Sequence, residues 1–153
     1  MATKEKQLEG IELKLSKQKS ENFFHLAICN GLGYVCNGYD LEFKYKEDEY
    51  KAAKKTLSEK VKAGKANDWS GDKITKISDI CFEDVLMEML RSNFKLTLKG
   101  NGETKSITLA DVHNRVQKTP MRHLIEYINE TGGDAITADV IIQTVFFDEV
   151  IYG

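Results

Sequence analysis

Residues 94–109 read FKLTLKGNGETKSITL. Phe94, Leu96 and Leu98 alternate with Lys95, Thr97 and Lys99, and Ile107 and Leu109 resume the apolar alternation further on. Side chains of a strand point to opposite faces in turn, so this pattern puts the apolar set on one side and the polar set in water. Asn101-Gly102 lies between the two runs. That dipeptide accepts positive φ at both central positions of a two-residue turn, the tightest way to join antiparallel strands. An isolated hairpin is marginal in water and needs cover on its apolar face. The rest of the chain offers helices for that purpose. The expected fold class is therefore α+β: four or five helices around a small antiparallel sheet containing the 94–109 hairpin. The competing reading is a mainly helical domain with the hairpin as an appendage.

Upstream of the hairpin, Phe82, Val85, Leu86, Met89 and Leu90 form a wide helical stripe, capped near Ser78 or Asp79. Asn93 suits the left-handed residue that ends it. Before this comes a polar loop, residues 63–76, which holds the only tryptophan, Trp69. Residues 48–62 predict a surface helix with the narrow stripe Tyr50, Ala53, Leu57 and Val61. Leu41, Phe43 and Tyr45 alternate with charged residues, as in a half-buried strand. Ser20 reads as an N-cap for a helix from Glu21 that carries Phe23, Phe24, Ala27 and Ile28. Gly31 and Gly33 either weaken that helix or let another backbone approach it. Residues 1–18 are expected to be an arm, with a short strand at 11–15, and residues 19–153 a single domain.

Downstream, Thr108 and Asp111 fit a capping box for a short helix with Val112 and Val116 inward. Thr119-Pro120 restarts a helix through Met121, Leu124, Ile125 and Ile128, which stops at Gly132-Gly133. The segment 136–152, ITADVIIQTVFFDEVIY, is the most apolar stretch, and Thr137 reads as its cap. Its lack of alternation favours a helix over a strand. A helix apolar on nearly every side has to be packed. Val140, Ile141, Phe146, Phe147 and Ile151 therefore belong to the core or, alternatively, to an interaction surface.

The 153 residues suit one domain with a core that needs no staples. A net charge of −2 exerts no overall pull on nucleic acid or membrane. The charge is uneven: residues 44–65 hold eight lysines against four acids, and residues 119–153 hold six acids against one arginine. The three cysteines, Cys29, Cys36 and Cys81, have no regular spacing, so reduced thiols and a cytoplasmic location are expected. No apolar leader and no membrane-length run is present in the sequence.

Four constellations bear on chemistry. His25 and Cys29 share a helix face at i, i+4, the spacing of two metal ligands or of a Cys–His nucleophile pair. Cys36, Cys81, His113 and His123 would have to complete a metal site, yet none falls in a regular ligand pattern. Asn30-Gly31-Leu32-Gly33 with Gly38 lacks the strand and the Lys-Ser/Thr ending of a phosphate loop. Lys51, Lys54, Lys55 and Lys62, with Lys65 and Trp69 nearby, offer a backbone-binding face with one stacking ring; the plainer reading is a solvated helix face. Asp111, His113, Arg115 and His123 read as caps.

The expected function is accordingly a non-catalytic protein-interaction or assembly protein that meets a protein partner or self-associates, without cofactor, metal or membrane. The alternatives are a nucleic-acid-binding accessory protein, of the kind phages and mobile elements encode, using the 44–65 lysines, and a small enzyme using the Cys29/His25 region.

Overall fold

The hairpin forms with its apolar alternation turned inward. In the computed structural model, which describes residues 14–38, 42–100, 103–129 and 135–148, β2 (Leu96–Gly100) pairs antiparallel with β3 (Glu103–Ile107) in the register Leu96↔Ile107 to Gly100↔Glu103. The Asn101-Gly102 turn itself lies outside the described residues. A third strand, β1 (Glu42–Lys44), adds antiparallel to the other side of β2 with Phe43 opposite Leu98. Leu96, Leu98 and Ile107 are buried beneath the helices, and Phe43 packs against the same core. The opposite row, Lys44, Thr97 and Ser106, faces out.

Six α-helices accompany this sheet among the described residues, so the fold is α+β. They are α1 (Lys17–Gly38), α2 (Glu47–Lys62), α3 (Phe82–Arg91), α4 (Leu109–Arg115), α5 (Met121–Ile128) and α6 (Ala135–Phe147). Single 3₁₀ turns occupy Ile77–Asp79 and Val116–Lys118.

The apolar segment is helix α6, and it lies at the centre. Ala138, Ile141, Ile142, Val145 and Phe146 are fully buried. The Phe146 ring meets Phe24 of α1 at 6.4 Å and Phe43 of β1 edge-on at 5.4 Å, so one side chain joins the helical layer to the sheet. Even its polar positions are enclosed. Gln143 donates to Asp139 at 2.9 Å and the Thr144 hydroxyl to the Val140 carbonyl at 2.7 Å, bonds that offset the cost of taking these groups out of water.

The broadest helix contact is that of α1 with α6, and Gly31 makes it possible. A methyl group at Gly31 would stand 2.7 Å from Cβ of Ala138 and 3.3 Å from the amide nitrogen of Asp139. The glycine thus serves close approach and not helix termination. Gly31→Ala is expected to lower stability by about 1–3 kcal/mol through overpacking, although alanine is the better helix former by about 1 kcal/mol. Urea unfolding measures this, and adding Ala138→Gly should recover part of the loss.

Several helix starts differ from the expectation. Helix α1 begins at Lys17 because Ser16 accepts the Lys19 amide at 3.1 Å; Ser20 is inside the helix and buried. The arm is thus helical from Lys17, and residues 11–13 of the proposed strand lie outside the described residues. Helix α3 is capped at Cys81 rather than at Ser78 or Asp79, which form the 3₁₀ turn. Pro120 stands at the N-cap of α5, one position before the helix, and Thr119 is buried. Thr137 lies within α6 and donates to Glu126 at 2.7 Å instead of capping. The Thr108–Asp111 box is as read, with the Asp111 carboxylate accepting the Thr108 amide at 2.9 Å. Asn93 has the left-handed φ of 67°.

Candidate functional site

His25 and Cys29 leave α1 on the side that faces the start of α3. His25 is 1% exposed, and its Nε2 lies 2.7 Å from Oδ1 of Asp84. The other oxygen of Asp84 accepts the Cys81 amide at 2.8 Å, which closes the capping box of α3. One carboxylate therefore caps one helix and pins it to another. Burial alone would raise the Asp84 pKa. The hydrogen bonds from His25 and the Cys81 amide, with the charges of His25 and Arg91, outweigh it and hold the carboxyl below its ordinary value.

One turn beyond His25, Cys29 reaches the surface and lines a cleft of about 270 Å³. Cys81, Asp79 and Asp84 form one side of it, and the loop after α2 brings Asp68 and Trp69 to the other. That loop is tied together by hydrogen bonds. Oδ1 of Asp68 accepts the Ser70 amide at 2.8 Å, the Ser70 hydroxyl at 2.6 Å and the Asp72 amide at 3.1 Å. Asn67 bridges Lys73, Gly71 supplies a φ of 89°, and Ala66 and Ile74 anchor both ends in the core. Trp69 rides on this loop with 42% of its surface open.

The cleft is poorly suited to thiol chemistry. The Cys29 thiol is pushed up to about 12 by burial, and then by the carboxylates of Glu83 and Asp84, by Cys81 and by Asp68. The Cys81 thiol is also raised, by burial and then by Asp84, Glu83 and Asp79. Both are protonated at neutral pH, whereas the thiolate is the nucleophile. His25 is engaged by Asp84 and is not bonded to Cys29 among the described residues. No group of three or more His, Cys, Asp or Glu able to hold a metal occurs among the described residues; the Cys36 side chain lies outside them. Asn30 to Gly33 and Gly38 are part of helix α1.

Lys51, Lys54, Lys55 and Lys62 are exposed on α2 and make no ion pair among the described residues. None of them lines the cleft, whose lysine is Lys73. Lys60 is different: it pairs with Glu88, a buried carboxylate of α3 that Arg91 also approaches at 3.8 Å. His113 bonds Glu21 at 2.9 Å, and Arg115 donates to the Val145 carbonyl at 2.9 Å, tying α4 to α1 and α6. His123 meets Thr137 at 3.3 Å. Val140, Ile141 and Phe146 are buried within the chain, Phe147 packs half-buried on the same core, and Ile151 lies outside the described residues.

Asp84 was not legible as the partner of His25, because the pairing joins residues 59 positions apart. By sequence, Cys81 enters only as one of the four residues that would complete a metal site. The local signal was the spacing Cys81-x-x-Asp84, a capping box with a thiol in place of the usual hydroxyl. No helix among the described residues is long and apolar enough to cross a membrane. No protein-family model, curated protein or solved structure matches the chain.

Proposed function

We propose that the chain is a non-catalytic protein-interaction module that holds a cationic side chain of its partner in the Trp69 cleft. The observation that carries this reading is an indole with 42% of its surface open, carried on the hydrogen-bonded Asp68 loop and set among carboxylates. Aromatic anchors beside a concavity are the common hot spots of interfaces, and an indole face attracts an ammonium or guanidinium. Asp68 and Asp79 outnumber Lys73, Asp84 being paired with His25, so the cleft favours a cation over phosphate. Its volume suits one long side chain rather than a whole metabolite. Protonated thiols at its edge add soft, apolar contact and point to work in a reducing compartment.

The tryptophan is unique in the sequence, so its emission reads the cleft alone. Titration with a hexa-arginine peptide is expected to shift that emission saturably, and a hexaglutamate peptide is expected not to. Asp79→Lys, at an exposed position, should weaken the arginine peptide at least about tenfold. An equal response to both peptides, or none to arginine, would sink the reading.

The second reading is a nucleic-acid accessory role for α2, favoured by the exposure of Lys51, Lys54, Lys55 and Lys62. Glu47, Asp48 and Glu49 precede them and Glu59 lies among them on the same helix, which dilutes the field. A steep loss of oligonucleotide affinity with salt, abolished by alanine at Lys51, Lys54 and Lys55, would establish it.

A further inference from the structure

We propose that the open face of the sheet carries a second, independent binding site: a lysine-rimmed groove that takes an acidic polypeptide segment. The groove holds about 520 Å³. Its floor is the outward row of the sheet, where the register aligns Lys44, Thr97 and Ser106 across three strands. One wall is the start of α2, with Lys46 and Glu49; the other is the segment Asn93, Phe94 and Lys95. The left-handed turn at Asn93 creates that second wall. It ends α3 and directs Phe94 onto the core, which leaves Lys95 exposed at the rim.

Charge selects the occupant. Three lysines face one carboxylate, Glu49. Lys46 and Lys95 make no ion pair among the described residues. Lys44 touches Glu42 at 2.9 Å, but both side chains are at least half exposed, and such pairs hold weakly. The hydroxyls of Thr97 and Ser106 lie 2.7 Å apart, so one donates to the other and the second O–H remains free to donate to a carboxylate or peptide carbonyl. Three strands span about 10 Å, the reach of roughly three extended residues. An acidic peptide fits these features better than a nucleic acid. No arginine lines the groove, the Tyr45 ring already stacks on Tyr50 at 5.1 Å, and the floor is hydroxyl and lysine with no free aromatic face.

The site is separate from the Trp69 cleft. The cleft lies at the N-terminal end of α3 and the groove at its C-terminal end, ten residues or about 15 Å away.

Fluorescence anisotropy of labelled hexaglutamate on the full chain at low salt tests the proposal, with labelled hexathymidylate as the competing class. The peptide is expected to bind saturably and to weaken as salt is raised. Lys46→Glu with Lys95→Glu should cost at least about tenfold in affinity. Ser106→Tyr should do the same by filling the floor without changing charge. Read at about 0.15 M salt, where the screening length is about 8 Å, Lys51→Glu with Lys54→Glu, on the outer face of α2, should lose clearly less than Lys46→Glu with Lys95→Glu. These positions are exposed, and unchanged thermal melts will confirm that the variants fold. Hexathymidylate binding as tightly as the peptide overturns the proposal, as does an equal loss in the Lys51/Lys54 variant or no saturable peptide binding.

Discussion

A chain ended at Gly133 should show no cooperative unfolding transition in urea. The truncation removes α6, with Ile141, Ile142, Val145 and Phe146 all at 1% exposure or less. Burial of each such side chain contributes about 1.5–3 kcal/mol. Four of them together match the roughly 5–15 kcal/mol net stability of a whole domain. The cavity left behind would be lined by Phe24 and Ile28 of α1 and Phe43 of β1, which can collapse only in part. Fluorescence and far-ultraviolet circular dichroism should therefore drift without a shared midpoint. Ile136→Ser in the full chain is the control, since Ile136 is 55% exposed and should change stability by no more than about 0.5 kcal/mol. A cooperative, soluble truncated protein would mean that α6 is not the keystone of the core.

Asp84→Ala is the point substitution with the largest expected loss. It strands the His25 ring, which is 1% exposed, and frees the Cys81 amide at the start of α3. Breaking a buried pair from one side costs about 3–5 kcal/mol, and loss of a helix cap about 1 kcal/mol. Acid should expose the same contact in the native protein. The Asp84 pKa is lowered in the folded state, so its contribution is complete above the unfolded value of 3.8 and fades as pH falls through the folded one. Stability should thus decline in the range below about pH 4, and Asp84→Asn, which keeps an acceptor for the Cys81 amide, should flatten that decline. Urea midpoints against pH measure both. An acid limb that is equally steep in Asp84→Asn would assign it to other carboxylates.

The parts of this fold that were legible are those written in local periodicity. The alternation of Leu96, Leu98 and Ile107, the stripe through Val85, Leu86 and Leu90, and the Thr108–Asp111 box depend on neighbours in the chain, and each has its expected form. Helix starts were harder because several hydroxyls compete for one role. Ser16 and Ser20 are both chemically able to cap, and only the burial of Ser20 decides between them. The candidate site was half legible. His25, Cys29 and Trp69 stand out by residue type, but what they do depends on Asp84 and on the Asp68 loop, contacts that no spacing encodes. The lysine groove was hidden for a related reason. Lys44 and Lys46 are adjacent in sequence to the α2 lysines, yet the pairing of Lys44 with Thr97 brings this end of the segment to Lys95, Thr97 and Ser106.

The contact of α1 with α6 also sets the order in which the protein can mature during synthesis. Roughly a hundred residues separate Gly31 from Ala138, so α1 leaves the ribosome long before its partner exists. At about 5–20 residues per second, the face bearing Phe23, Phe24, Ala27 and Ile28 waits on the order of 5–20 s for its cover. Contacts of such long sequence separation also slow the final collapse. For that interval the nascent chain presents a bare apolar helix, the kind of surface that holding chaperones shield.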